Sequence, residues 1–216
     1  MIIGESVMRN MNSMKRLFLF FVMSALMLSA AAQDIAYRVN FKGKAPTISD
    51  FVETLVTMEE GEVMNVYNHS WQLYKKGQKL PEGVMIDVDA KNGYALFNIN
   101  YPDDNDHLTV ETCFWNCDDG RHKIIAQAIA SYHDGRAMMG QYDGLTFYTY
   151  DSVKRQMKWT PTIDLCGEEF IDYPLSDGTI ISLPQVGKDI SLWLNTSEGL
   201  KNFKLKWAGN RFLFTE

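Results

Sequence analysis

From Asp34 to Phe41 apolar and polar residues alternate, with Ile35, Tyr37, Val39 and Phe41 on one side. That period of two puts successive side chains on opposite faces of a strand. Lys42 to Pro46 breaks the rhythm, and the period then changes. Ile48, Phe51, Val52, Leu55 and Val56 recur at three and four residues, lining one face of a helix that Thr47 or Ser49 can cap and that Glu59-Glu60-Gly61 ends. Val63, Val66, Tyr67 and Tyr74 predict a second helix over Glu62 to Lys76, stopped by Gly77, although Tyr and Val suit strands as well.

From Leu80 onward the punctuation is Asn-Gly and Asp-Gly, at 92–93, 119–120, 134–135, 143–144 and 177–178. These dipeptides accept positive φ and so turn antiparallel hairpins. Between them lie strand-length apolar runs: Val84 to Val88, Tyr94 to Tyr101, Leu108 to Cys117, Ile124 to Tyr132, Leu145 to Tyr150, Thr179 to Leu183 and Ile190 to Leu194. The alanines of Ile124 to Tyr132 would serve a helix equally. At the C-terminus Phe203, Leu205 and Trp207 alternate with Lys204 and Lys206, and Gly209-Asn210 turns the chain back through Phe212 and Phe214.

These elements predict an α+β fold in which an N-terminal helix or helix pair packs on an antiparallel sheet built from hairpins. The stripe from Phe51 to Val56 is expected to cover the sheet face carrying Phe203, Leu205 and Trp207. One domain is expected over residues 33–216. A 95-residue echo, in which Leu80, Gly83, Ile86 and Asn100 fall on Leu175, Gly178, Ile181 and Asn195, raises two similar β-rich halves as an alternative to generic hairpin patterning.

Residues 1–32 read differently. Lys15-Arg16 precede a twelve-residue apolar run, Leu17 to Leu28, and Ala30-Ala31-Ala32 supply the small residues that a signal peptidase requires. A membrane span needs roughly 20 apolar residues, so the run predicts a cleaved signal peptide, with Gln33 as the new N-terminus. Glu5 and its polar neighbours fit an n-region poorly, which makes Met14, or Met11, the better translation start. A Lys-Arg signal, a Gln start and glycine-turned strands together resemble, in style, exported proteins of Gram-negative bacteria. The expected address is periplasmic or extracellular, with no membrane span after processing.

Without residues 1–32 the chain loses Arg9, Lys15, Arg16 and Glu5, leaving 18 basic against 26 acidic residues and a net charge of −8. A surface this acidic does not suit phosphate backbones, so nucleic acid is not an expected partner. Export brings Cys113, Cys117 and Cys166 into an oxidising space. On a strand Cys113 and Cys117 lie about 13 Å apart, beyond disulfide reach, so a bridge is expected between Cys166 and one of them, Cys117 being preferred. Three buried thiols are the competing outcome.

No residue is assigned a catalytic, metal or cofactor role. His122 and His133 stand beside Asp-Gly turns, His69 and His107 elsewhere, and no HExxH or GxSxG accompanies them. Asp103-Asp104-Asn105-Asp106 offers hard oxygen ligands, but an EF-hand counted from Asp103 would need glycine where Leu108 stands and glutamate where Phe114 stands. Glu168-Glu169 and Asp118-Asp119 are sequence neighbours that would point apart on a strand. Trp71, Trp115, Trp159, Trp193 and Trp207 either pack the core or form a platform for carbohydrate or peptide. The leading expectation is a non-catalytic binding module for a protein, peptide or carbohydrate ligand, contacted through a sheet face or a helix–sheet cleft. The alternative is a secreted hydrolase using His122 or His133 with a nearby carboxylate.

Overall fold

Long alternating runs joined by tight glycine turns have little choice but to pair with their chain neighbours. The computed structural model, which describes residues 35–101, 105–138, 144–171, 178–196 and 198–215, shows that outcome. The expected signal peptide, Gln33, Asp103, Asp104, Asp143 and Leu175 lie outside the described residues.

Two antiparallel sheets result. The larger is ordered β1-β8-β7-β5-β4-β3-β2, with β6 also paired to β5. Its strands are β1 (Ala36–Arg38), β2 (Val84–Asp89), β3 (Tyr94–Tyr101), β4 (Asp106–Asn116), β5 (His122–His133), β6 (Arg136–Met138), β7 (Gly144–Asp151) and β8 (Gln156–Thr160). The smaller is a meander of β9 (Ile180–Ser182), β10 (Ile190–Thr196), β11 (Gly199–Trp207) and β12 (Phe212–Thr215). The helices are α1 (Ile48–Met58), α2 (Glu62–Lys75) and the short α3 (Thr162–Cys166) and α4 (Glu168–Ile171). Among the described residues no helix is long and apolar enough to cross a membrane.

The alanine-rich run is a strand, β5, because it is paired along its length with β4 and β7. Ladder bonds on both sides outweigh the helical preference of Ala. Gly93 shows why the β2–β3 turn needs glycine: φ is +69° and a Cβ would meet the Phe114 ring at 2.8 Å.

Alternation sorts the large sheet into two faces. On one, Phe97 and Val110 join a buried cluster with Ile48, Val52, Val56, Met64, Tyr67 and Trp71 of the helices. Phe51 and Leu55 are buried with Ile125, Tyr148, Tyr150 and Met157. On the other face Tyr94, Cys113, Trp115, Ala126 and Phe147 meet Ile190, Leu192, Leu194, Phe203, Leu205 and Phe212 of the small sheet.

Two expectations are thereby corrected. The stripe of α1 does not cover Phe203, Leu205 and Trp207; those residues belong to a separate sheet whose inner face is covered by the opposite side of the large one. The Cys117–Cys166 bridge is also not formed, since all three cysteines are buried free thiols. They sit in the sheet–sheet core, where a thiol packs as a small apolar group.

The 95-residue echo has a counterpart in register. β9–β10 pairs Ile180↔Trp193, Ile181↔Leu192 and Ser182↔Ser191, each 95 residues on from Met85↔Asn98, Ile86↔Phe97 and Asp87↔Leu96 of β2–β3.

Candidate functional site

The α1–α2 connection is short because it breaks both helical patterns at once. Glu59 is extended at φ −89°, with its N–H on the Leu55 carbonyl at 3.1 Å. Gly61, at φ +129°, occupies backbone space that side chains rarely permit. The residues of this turn line a cleft of about 320 Å³ together with Gln127 and Ile129 of β5 and Thr146 and Tyr148 of β7. Val63, Met64 and Ile129 give it apolar walls, while Glu59, Gln127, Thr146 and Tyr148 give it polar groups.

Those polar groups are unusually confined. Tyr148 is buried and its hydroxyl donates to Glu59 Oε1. Burial raises the Glu59 carboxyl above its usual range, opposed by that hydrogen bond. The Tyr148 phenol is pushed up by burial first and by the Glu59 charge second. Gln127 is only 2% exposed. Its Nε2 has no hydrogen-bond partner among the described residues, a costly state for a buried amide.

Register explains how Gln127 comes to be there. It pairs laterally with Thr112 on β4 and Thr146 on β7, so a polar row crosses the face between Val110 and Ile129 on one side and Phe114 and Ile125 on the other. Tyr67 belongs to the same region: its ring stacks on Phe97 at 4.3 Å, its hydroxyl is buried without a partner, and the Glu59 charge helps burial to raise its pKa. Donors and acceptors thus converge on a cleft lined by carboxylates and, among the described residues, by no basic one. Neither Glu59 nor Gln127 was singled out from sequence. The available signal was one amide inside the apolar run Ile124 to Ala130.

His122 is placed differently. Asp119 of the β4–β5 turn accepts the backbone N–H groups of Arg121 and His122 at 2.8 Å each, and contacts His122 Nδ1 at 2.5 Å. These hydrogen bonds, led by the His122 backbone, pull Asp119 down to about 2. Asp151 accepts Arg121 Nε at 3.1 Å and Nη2 at 2.5 Å and lies 3.8 Å from His122 Nε2. Both acids are therefore held ionised as acceptors that tie two turns together, which suits an anchor better than a proton donor. Cys117 lines the adjoining cleft of about 260 Å³ with His122, but burial pushes its thiol up to about 11, away from the thiolate a nucleophile requires.

His133 contacts Asp106 at 2.6 Å and Asp134 at 3.5 Å on an exposed turn. His107 stacks flat on Tyr132 at 4.3 Å. From the acidic loop, Asn105 donates to Asp134 at 3.0 Å. Among the described residues no group of three His, Cys, Asp or Glu could hold a metal ion. The tryptophans divide: Trp71 and Trp115 are buried, Trp207 is half-buried, and Trp159 and Trp193 are about 40% exposed (39% and 41%).

No family model matches the chain, and no characterised protein or solved structure matches it significantly.

Proposed function

We propose that this protein is an exported, non-catalytic binding module, processed after Ala32 to a periplasmic or extracellular form. In this reading α1 and α2 form a helix pair packed on one face of the large sheet, and the ligand sits between their connection and strands β5 and β7. The observation that carries it is the Gln127 Nε2, buried without a partner in the wall of a cleft that also holds Glu59 and Tyr148. A buried donor without a partner calls for a group to meet it, and a ligand in the cleft is one such group. The acidic lining and apolar walls resemble ligand sites in which a few polar groups orient a small molecule.

The test is a thermal-shift screen of the exported protein against polar metabolites, repeated on Gln127→Leu and on Met64→Trp, which fills the cleft. A ligand-dependent rise in Tm that both substitutions abolish supports the reading; a rise indifferent to both refutes it. A hydrolase on His122 is the second reading, favoured by the 2.5 Å contact with Asp119. It requires esterase or peptidase activity that disappears in His122→Ala and survives in Gln127→Leu.

A further inference from the structure

Resting on that reading, we infer that the cleft takes a neutral polyhydroxylated ligand the size of one saccharide ring. Size sets the first bound. About 320 Å³ lies at the lower end of ligand pockets, roughly 300–1,000 Å³, and suits a single ring better than a chain.

Charge sets the second. Glu59 and Glu60 line the cleft and, among the described residues, no Lys, Arg or His does, so an anion would be repelled by those carboxylates without a counter-charge. An alkylammonium could satisfy Glu59, but it carries donors alone and would leave the Gln127 Nε2 donor as unmet as before. A hydroxyl donates and accepts at once. One such group can give its proton to the free side of the Glu59 carboxyl while its oxygen receives the Gln127 N–H, and a neighbouring hydroxyl can do the same at Thr146. Trans peptide groups point their N–H and C=O in opposite directions, which fits donors and acceptors converging on one small space less well. Val63, Met64 and Ile129 then offer the apolar surface that the C–H face of a sugar ring needs.

The experiment is saturation-transfer NMR on the exported protein with glucose, galactose, mannose and xylose, alongside butylammonium, glycylglycine and acetate. The expected result is transfer to at least one monosaccharide and none to acetate. Gln127→Leu should weaken that binding about tenfold or more, the cost of one well-made polar contact, and Trp193→Ala should leave it unchanged. Gln127-dependent binding of butylammonium or glycylglycine, without any monosaccharide, overturns the ligand class and leaves the cleft standing. Monosaccharide binding lost in Trp193→Ala but kept in Gln127→Leu overturns the class and the cleft together, as does the absence of transfer to every probe. Gln127→Leu replaces an unpartnered amide with an apolar group of similar shape, so its fold is expected to survive; Glu59→Gln, which keeps shape and removes charge, is the second variant and should also weaken the sugar.

Discussion

Phe51 tests the proposed packing of α1 on the large sheet. Its side chain is fully buried and its ring meets Phe114 and Tyr150 edge-on, each at 5.3 Å between centroids. Truncation to Ala removes the transfer free energy of a large aromatic and leaves a cavity, about 3–5 kcal/mol in a rigid core. Two edge-to-face partners, each worth about 0.5–1.5 kcal/mol beyond area, place Phe51→Ala in the upper half of that range, near 4–5 kcal/mol. For a domain of this size each kcal/mol moves Tm by about 2–4 °C, so a fall of about 8–20 °C is expected by calorimetry. The more telling assay is a pair of double-mutant cycles in urea. Phe51→Ala with Tyr150→Leu should couple by at least about 0.5 kcal/mol, because the two rings touch. Phe51→Ala with Phe203→Ala should be additive within about 0.5 kcal/mol, because Phe203 lies in the core on the other side of the large sheet. Coupling to Phe203 without coupling to Tyr150 would refute the arrangement, and a loss below about 1 kcal/mol for Phe51→Ala alone would show a surface position.

Trp115 is buried between the sheets with its indole N–H on the Lys188 carbonyl at 2.8 Å; Trp115→Phe should cost about 1–3 kcal/mol by losing that hydrogen bond and leaving a cavity where the larger ring packed, read as a shift in urea midpoint at constant m. Burial raises the thiols of Cys117 and Cys166 to about 11 and about 12 and pushes that of Cys113 well above its usual value, so iodoacetamide should label all three in urea and scarcely any at neutral pH in buffer; a Cys117–Cys166 peptide on non-reducing mapping contradicts this. The folded state holds the Glu59 proton above the ordinary value of 4.5, and a group that binds protons more tightly when folded loses stability as pH rises from its unfolded pKa through its folded one. Glu59→Gln should therefore reduce the downward slope of stability above pH 4.5, while Asp119, held near 2, keeps the opposite slope, stability being lost as pH falls below the usual carboxylate range. An unchanged pH profile in Glu59→Gln excludes a raised carboxyl at that position.

Local pattern carried a great deal. The period of three and four from Ile48 to Val56, the Asn-Gly and Asp-Gly turns and the alternation of Phe203, Leu205 and Trp207 are short-range consequences of backbone geometry, so α1 and the β2–β3 hairpin were legible within a residue or two of Ile48–Met58, Val84–Asp89 and Tyr94–Tyr101, and the β11–β12 hairpin likewise except that β11 begins at Gly199, four residues before the alternation from Phe203. β1 was overextended, since the alternation from Asp34 to Phe41 supports a ladder only over Ala36–Arg38. What pattern could not carry is which apolar face meets which. Every buried strand face looks alike in sequence, and only the tertiary structure assigned Phe51 to Tyr150 and Phe203 to the far side of the large sheet. The cysteines show the same limit, because disulfide geometry depends on how distant backbones approach and not on spacing. Gln127 is the sharpest case. Alternation says only that it shares a face with Ile125 and Ile129; its burial and unmet amide are tertiary, and its place in one cleft with Glu59 joins residues 68 positions apart in the chain, which no local periodicity encodes.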